Sequence, residues 1–371
     1  MHLHDPMLRA LALAETVAGS TSPNPAVGAV LLRDGELVGE GATQPPGGPH
    51  AEIVALREAG PRARGATLYV TLEPCSHHGR TPPCADAIVQ AGVREVHFAI
   101  PDPSPWVNGG GRRALEAAGL RVVVGARAEE ARRLNAPFLK WVQTGLPFLT
   151  AKYAMSLDGK IATRAGDARW VSGPQARALV GAWRARSDAI LVGVETVLRD
   201  DPLLTARDPD GRPLPRQPLR VILDSRGRTP PTARALDPQL PGQALIVTTD
   251  QAPAERLVAL RARGAEVVEV AAAAGRVDVR AALALLGGRD ITSVLAEPGG
   301  TLLAALVERC LVDKLVVFVA PKLVGGSAAP TPLGGVGVET MAEALALRDV
   351  SYECVGQDLM VTGFPACSPA S

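Results

Sequence analysis

The chain has 371 residues, more than one typical hydrophobic core uses, so two domains are expected. A net charge of +1 and an aromatic content of only 3% argue against a nucleic-acid partner, which needs positive charge or stacking rings. No apolar stretch approaches the roughly 20 residues of a membrane helix, so no membrane partner is expected either.

The first segment, residues 1–20, predicts an amphipathic helix, because Arg9 and Glu15 interrupt its apolar pattern. We interpret it as part of the folded protein and not as a signal peptide, so the expected location is the cytoplasm. In that reducing compartment the five cysteines are expected to bind metal or to stay free thiols, in preference to forming disulfides.

Residues 1–144 are expected to form the first domain. Apolar strand patterns alternate there with helix patterns, which is typical of an α/β sheet covered by helices. The predicted strands lie at 26–32, 66–72, 95–100 and 120–126, and the predicted helices at 51–60, 84–92 and 111–119.

A second alternation, also of the α/β class, predicts another domain at 145–366, with the join at 145–150. Its strands are predicted at 148–154, 189–193, 219–224, 244–249, 266–270, 293–297 and 314–320, and its helices at 174–186, 252–264, 279–288 and 301–310. The prolines between positions 208 and 218 predict a surface loop.

Four residues of the first domain suggest metal chemistry: His50, Glu52, Cys75 and Cys84. One imidazole and two thiolates leave a tetrahedral zinc with one open position, and zinc acidifies a water bound there. Glu52 follows His50 by two residues, about 200° around an ideal helix, so the two converge only if His50 departs from helical geometry. Cys75 is expected directly after a strand, and Cys84 before a helix whose dipole favours its thiolate.

The order of these residues predicts a zinc deaminase. The signature of that class is H-x-E followed by P-C-x-x-C, with the glutamate moving protons, whereas eight residues separate Cys75 from Cys84 here. Two buried thiols and a structural zinc are the alternatives, and Glu52 and the open coordination position speak against the second. His77 and His78 are possible ligands, but we expect them to contact substrate or to lie in a solvated loop.

The second domain carries weaker signals. A glycine pair between the strand at 293–297 and a helix lets backbone amides approach a phosphate. The segment 189–202 repeats this form and adds the hydroxyl of Thr196. These patterns alone indicate an α/β domain with a candidate nucleotide site.

Four segments, TSPNPAVGAV, GGPHAEIVAL, TLEPCSHHGRTPPCADAI and AKYAMSLDGKIA, give the chain a specific resemblance. From about residue 5 to about residue 364 it resembles the bifunctional deaminase–reductases of riboflavin biosynthesis. The resemblance implies a cytidine-deaminase-like three-layer domain followed by a dihydrofolate-reductase-like α/β domain. It also implies that zinc-dependent deamination of a diamino-pyrimidinone ribosyl phosphate precedes NADPH-dependent reduction of its ribosyl chain to ribityl.

The resemblance also implies roles for single residues. In the deaminase, His50, Cys75 and Cys84 would bind zinc and Glu52 would shuttle protons. The implied substrate contacts there are Asn24, His77 and Arg80; alternatively, Asn24 only forms a turn and Arg80 is only an exposed arginine.

In the reductase, the implied NADPH contacts are Ala154, Trp170, Thr196, Asp200, Ser225, Gly299, Gly300, Thr301, Leu302 and Leu303. The implied substrate contacts are Lys152, Ala168, Arg184, Leu204, Arg207 and Glu297. Two arginines suit a phosphate, because their guanidinium groups match its oxygens.

Several points stay open in the reductase. Lys152 and Asp200 are the candidates for moving the proton that accompanies hydride transfer. Arg184 could instead lie on a solvated helix face, and Trp170 could belong to the core. Ala168 stands where related sequences often carry a serine, so one substrate hydrogen bond is missing or comes from a backbone amide.

Arg226 and Arg228 are candidates for attracting the 2′-phosphate that distinguishes NADPH from NADH. The family implies a homodimer or a homotetramer. Two other functions remain as alternatives: a deaminase acting on RNA with the second half as a binding module, and a chain in which one half is a degenerate scaffold. Balanced charge and few aromatics speak against the first, and the key residues present in both halves speak against the second.

Overall fold

The chain divides between Gly145 and Leu146 into two units. A computed structural model describes residues 4–76, 83–208 and 210–367. Within these ranges no helix has the length and apolar character needed to span a bilayer.

The first unit is built on a five-stranded sheet of order β2-β1-β3-β4-β5, antiparallel around β1 and parallel from β3 to β5. Its strands are β1 (Gly28–Arg33), β2 (Glu36–Ala42), β3 (Thr67–Val70), β4 (Glu95–Phe98) and β5 (Arg121–Val124). Its helices are α1 (Pro6–Val17), α2 (Ala51–Ala59), α3 (Cys84–Gln90), α4 (Gly110–Ala117), α5 (Ala128–Leu134) and α6 (Ala136–Thr144).

All four predicted strands and all the predicted helices of this half are confirmed, including the amphipathic first helix. That helix begins where the side chain of Asp5 accepts a hydrogen bond from the amide of Leu8, as an N-cap does. Gly28 allows α1 to lie directly on β1, because a Cβ atom there would come within 1.9 Å of the Ala10 carbonyl oxygen. A single cluster of buried apolar side chains fills this unit.

The second unit contains a nine-stranded sheet of order β10-β9-β8-β7-β13-β6-β14-β16-β15, parallel from β10 to β14. Its strands are β6 (Phe148–Ser156), β7 (Ala189–Gly193), β8 (Leu219–Leu223), β9 (Ala244–Thr248), β10 (Glu266–Glu269), β13 (Ser293–Ala296), β14 (Lys314–Ala320), β15 (Leu347–Val355) and β16 (Asp358–Pro365), and β11 (Ala272–Ala273) pairs separately with β12 (Arg276–Val277). Its helices are α7 (Pro174–Arg186), α8 (Val194–Asp200), α9 (Ala254–Ala262), α10 (Val279–Gly287) and α11 (Gly300–Glu308).

Both faces of the sheet are covered at its central strands. Along β7, Ala189 and Leu191 join one buried cluster whereas Ile190 and Val192 join another. A parallel strand buried on both sides needs a continuous apolar run, and this is why the sequence predicts all seven parallel strands correctly. The carboxyl ends of β6, β7 and β13 lie side by side, the usual place for a ligand site in such sheets.

One expectation about the cysteines is wrong. Cys310, just after α11, forms a disulfide with Cys367, and their Cα atoms lie 5.6 Å apart. The two residues are 57 positions apart, so their proximity depends on the tertiary fold and has no local sequence signal. Among the described residues Cys75, Cys84 and Cys354 carry free thiols.

Candidate active sites

His50 and Glu52 meet at the start of α2. His50 is the N-cap, with the extended backbone angles φ −71° and ψ 162°, and Glu52 lies in the first helical turn. The departure from helical geometry that the His-x-Glu spacing requires is therefore present at His50. Glu52 is 4% exposed, so its carboxyl group is buried beside the imidazole.

The two cysteines complete this cluster, although Cys75 does not follow directly on a strand as predicted. Strand β3 ends at Val70, and an irregular segment brings Cys75 to the amino end of α3, where Cys84 is the first helical residue. The Cys75 thiol accepts a hydrogen bond from the amide of Cys84, with 3.4 Å between sulfur and nitrogen.

The three side chains fit a zinc ion. The Nδ1 atom of His50 lies 3.3 Å from Sγ of Cys84 and 3.7 Å from Sγ of Cys75. In a tetrahedral zinc site with ordinary bond lengths, nitrogen and sulfur ligands are about 3.5 Å apart. All three ligand atoms lie within 4.8 Å of one another, so little movement is needed to bind the metal.

The electrostatic environment of Cys75 suits metal binding, and that of Glu52 suits proton transfer. A hydrogen bond from Cys84 lowers the pKa of the Cys75 thiol, with a further contribution from His50, so Cys75 is readily available as a thiolate. Burial raises the pKa of Glu52 to about 7, and the negative charge of Cys75 adds to the effect. A carboxyl group with this pKa can both accept and donate a proton near neutral pH.

Sequence reasoning missed the residues that support the cysteine segment. The Glu73 carboxylate accepts hydrogen bonds from the amides of Arg112, at 2.9 Å, and Asp102, at 3.3 Å. Gly111 permits close packing, since a Cβ atom there would lie 1.8 Å from the carbonyl oxygen of Pro74. Helix α4 is thereby held against the segment that carries Cys75. A buried glutamate inside the TLEPC motif was the available signal.

The structure does not show a functional contact for the other predicted deaminase residues that it describes. Asn24 lies in a turn in which its amide donates to the carbonyl of Thr21, 2.9 Å away, in keeping with the turn-forming alternative. Its role as a substrate contact stays a prediction. His77, His78 and Arg80 lie outside the described residues.

A cleft of ≈ 1060 Å³ lies in the second unit at the carboxyl ends of β6, β7 and β13. It brings together predicted residues from widely separated parts of the chain: Lys152, Ala154, Ala168, Trp170, Arg184, Thr196, Asp200, Leu204, Arg207, Glu297 and Gly299. Burial raises the pKa of Asp200.

Partly buried charged groups line this cleft. Arg184 donates two hydrogen bonds to Glu297, of 2.7 and 3.0 Å, so it is not on a solvated helix face. Burial alone would raise the pKa of Glu297, but the charges of Arg184 and Lys152 lower it to about 2. Burial also lowers the pKa of Lys152. An anionic carboxylate therefore binds Arg184 and lies close enough to Lys152 for their charges to interact.

Trp170 is 62% exposed, so it is not a core residue. The guanidinium of Arg177 lies 4.7 Å from the centroid of its ring. Lys322 donates to the backbone carbonyls of Trp170 and Val171, at 2.6 and 3.0 Å. Arg177 thus contacts the indole and Lys322 the backbone that carries it, and sequence reasoning singled out neither residue.

The remaining predicted cofactor residues do not line the cleft: Ser225, Gly300, Thr301, Leu302 and Leu303. The hydroxyl of Ser225 accepts a hydrogen bond from the amide of Val277 at 2.9 Å. Gly300 is covered, since a Cβ atom there would lie 2.9 Å from the Thr331 carbonyl oxygen, and Leu303 is buried in the core. Their cofactor contacts stay predictions.

Two protein families match the two units. The cytidine and deoxycytidylate deaminase zinc-binding region matches residues 2–100, and the RibD C-terminal domain matches residues 147–361. The riboflavin biosynthesis protein RibD of Escherichia coli is 42% identical over 365 residues, covering 95% of this chain and 96% of its own. The corresponding protein of Actinobacillus pleuropneumoniae is 41% identical over 361 residues, covering 96% and 94%.

Two solved structures show the same similarity to RibD proteins. Acinetobacter baumannii RibD superimposes with a TM-score of 0.86 at 39% identity, over 97% of this chain and 98% of its own. A Thermotoga maritima deaminase–reductase gives a TM-score of 0.81 at 34% identity with the same coverage.

Fold and metal site together define a zinc deaminase joined to an NADPH-dependent reductase. The chain belongs to the RibD family of bifunctional riboflavin biosynthesis enzymes. The predicted fold class, both activities and both cofactors are thereby confirmed.

Proposed function

We propose that the first unit hydrolyses 2,5-diamino-6-(5-phosphoribosylamino)pyrimidin-4(3H)-one to 5-amino-6-(5-phosphoribosylamino)uracil and ammonia. The second unit then reduces the ribosyl chain to ribityl with NADPH. The cluster of His50, Cys75 and Cys84 with buried Glu52 beside it carries the proposal. The Thermotoga protein named as a diaminohydroxyphosphoribosylaminopyrimidine deaminase and 5-amino-6-(5-phosphoribosylamino)uracil reductase supports it.

In the deaminase, Glu52 moves the protons. Zinc, when bound by His50, Cys75 and Cys84, makes a water molecule acidic enough to lose a proton near neutral pH. Glu52 takes that proton from the attacking water and donates it to the departing 2-amino nitrogen, which leaves as ammonia. Its pKa of about 7 suits both halves of the transfer.

In the reductase, the anomeric carbon of the ribosyl chain must accept a hydride while the ring oxygen takes a proton. NADPH supplies the hydride when bound, and the protein supplies orientation and charge. Lys152 and Asp200 are the proposed proton donors, because both are desolvated at the cleft. An Asp200→Asn enzyme that binds NADPH normally and reduces at the full rate would remove Asp200 from this role.

The preference for NADPH is proposed to involve Arg226 and Arg228, which follow β8. Arg228 pairs with Glu195 at 2.8 Å, so its charge is partly neutralised until a more negative partner arrives. A 2′-phosphate would be such a partner. Arg226→Ala and Arg228→Ala should lower the selectivity for NADPH over NADH.

We propose a homo-oligomer in the cytoplasm, where NADPH is available. Strand β15 ends the nine-stranded sheet, and among the described residues no further strand pairs with its outer edge. Large apolar side chains near it are exposed, including Met341 at 87% and Tyr352 at 70%. Edges and apolar patches of this kind are usually covered by a partner. A second copy of the chain is the proposed partner, and sedimentation would give the dimer or tetramer mass.

The deciding experiment supplies the diamino-pyrimidinone ribosyl phosphate to zinc-loaded enzyme with and without NADPH. Ammonia should appear in both cases, and NADPH oxidation should follow it. A parallel assay with RNA should release none. Ammonia from RNA but not from the nucleotide would instead support the nucleic-acid deaminase, and no ammonia from either would exclude the proposed first step.

A further inference from the structure

Five arginine side chains line the reductase cleft, and they differ in how their charge is balanced. Arg177 stacks on the ring of Trp170, and Arg169 donates to the backbone carbonyl of Asp200. Arg184 forms the two hydrogen bonds to Glu297. Arg207 and Arg234 also line the cleft. Among the described residues, no carboxylate lies within ion-pair distance of either of these two guanidinium groups. Arg207 and Arg234 are therefore cations of the cleft whose guanidinium groups form no direct ion pair among the described residues, although Asp201 and Asp208 also line it.

Both unpaired arginines stand on fixed backbone. The Nε atom of Arg207 donates to the hydroxyl of Thr205 at 2.8 Å, which leaves its two terminal nitrogens available. Arg234 opens a short 3-10 turn whose next two residues are buried in the core. Its amide donates to a carboxylate oxygen of Asp201 at 2.8 Å. The Arg234 side chain is thus free to bind while its backbone is anchored.

The two guanidinium groups are close enough to affect each other. Burial lowers the pKa of Arg207 first, and the positive charges of Arg234 and Arg184 lower it further. Like charges held together without a direct ion pair destabilise the empty cleft and favour binding of an anion. A phosphate carries up to two negative charges and several acceptor oxygens, which suits a pair of guanidinium groups.

We propose that Arg234 is a specificity-determining residue of the reductase, binding the phosphate of the phosphoribosyl chain together with Arg207. This inference rests on the substrate proposed above. Position 234 lies more than 25 residues beyond position 207, in a segment with no motif of its own, so sequence reasoning did not find it.

The test compares two substrates: 5-amino-6-(5-phosphoribosylamino)uracil and the same compound without its phosphate. Arg234→Ala should raise KM for the phosphorylated substrate about 10- to 100-fold, the effect of losing a hydrogen bond between charged groups. It should leave kcat/KM for the dephosphorylated substrate, KM for NADPH and ammonia release unchanged. Arg234→Lys should restore part of the loss, because it keeps the charge without the planar fork.

Arg207→Ala is the positive control and should behave in the same way. Arg263→Ala, at an exposed arginine outside the cleft, is the matched negative control. Thermal unfolding of every variant checks folding, and Arg234→Ala keeps the amide that bonds to Asp201. Inorganic phosphate gives a second readout, since it should inhibit the wild type competitively and Arg234→Ala much less.

Two outcomes would overturn the assignment of Arg234 alone. If KM for the phosphorylated substrate rises in Arg207→Ala but not in Arg234→Ala, the cleft still binds the phosphate and Arg234 is only a solvated surface residue. If Arg234→Ala weakens the use of both substrates equally, the role of Arg234 is structural. If the wild type itself uses both substrates equally well, the proposed phosphate recognition in this cleft is wrong as a whole.

Discussion

Glu52 shows how burial tunes a single residue for catalysis. We expect Glu52→Gln to lower the rate of ammonia release about 10²- to 10⁴-fold, because a glutamine cannot carry the proton. Zinc content and NADPH-dependent reduction should be unchanged, since the amide keeps the size of the side chain and is not a ligand. Glu36→Gln, at an exposed glutamate of β2, is the control. If zinc content falls along with ammonia release, Glu52 is needed to maintain the metal site and its proposed role in proton transfer is not supported.

Glu297 is expected to stabilise the second unit through its partly buried ion pair with Arg184. Glu297→Gln leaves Arg184, whose side chain is 22% exposed, without a counter-charge. This costs about 1–3 kcal/mol in the free energy of unfolding. The pKa of Glu297 is lowered to about 2 in the folded chain, from an ordinary value of 4.5 for glutamate. The stabilisation is therefore complete above about pH 4.5 and is lost as the pH falls towards 2.

Urea unfolding of wild type and variant at a series of pH values measures this difference, which should narrow in acid. Glu266→Gln is the matched control, because Glu266 pairs with Arg289 at 2.6 Å on the surface. An exposed pair contributes about 0–1 kcal/mol. Equal effects of the two substitutions would contradict a special role for the partly buried pair of Arg184 and Glu297.

At the residue scale, local motifs were sufficient for the metal site and insufficient for the cleft. His50 and Glu52 share one turn, and the cysteine motif spans only ten positions, so their spacing carries the information. Lys322 and Arg234 form contacts between distant segments. Such contacts leave no pattern in a single sequence.

At the scale of elements, the contact between α4 and the cysteine segment should be sensitive to one atom. Gly111→Ala places a methyl group 1.8 Å from the Pro74 carbonyl oxygen, so the helix must move. We expect the free energy of unfolding to fall by about 1–3 kcal/mol, and ammonia release to fall while reduction continues. Gly288→Ala is the control, because its Cβ atom would lie 3.5 Å from the Ala284 carbonyl oxygen, an ordinary contact. Unchanged deaminase activity in Gly111→Ala would contradict the importance of the contact between α4 and the cysteine segment.

The elements that sequence reasoning missed have weak apolar patterns. Strand β2 contains two glutamates and two glycines, and its glycines are needed because α2 packs directly on them. Helix α5 is mostly charged, with one buried residue. The hairpin of β15 and β16 lacks a clear alternation, and β15 is exposed along most of its length. Periodicity predicts elements that bury a face, and these elements bury little.

At the scale of the whole molecule, the two units should respond separately to metal removal. All three zinc ligands belong to the first unit, and each unit has its own buried core. A chelator should lower the melting temperature of one calorimetric transition. Zinc binds the folded first unit, so removing the metal also removes the binding free energy that stabilises that unit. Ammonia release should stop and return with added zinc, while reduction of the deaminated intermediate continues throughout. A single transition that shifts as one would contradict separate units.

Strand β6 also limits how the gene can change in length. Lys152 and Ala154 line the cleft, whereas Leu149 and Ala151 belong to the core on the other face of the sheet. Inserting or deleting one codon within β6 would exchange these two sets, since successive side chains of a strand point to opposite faces. A lysine would enter the core and the cleft would lose its cation in the same event. During divergence the codons of β6 can therefore be replaced one at a time, but their number is fixed.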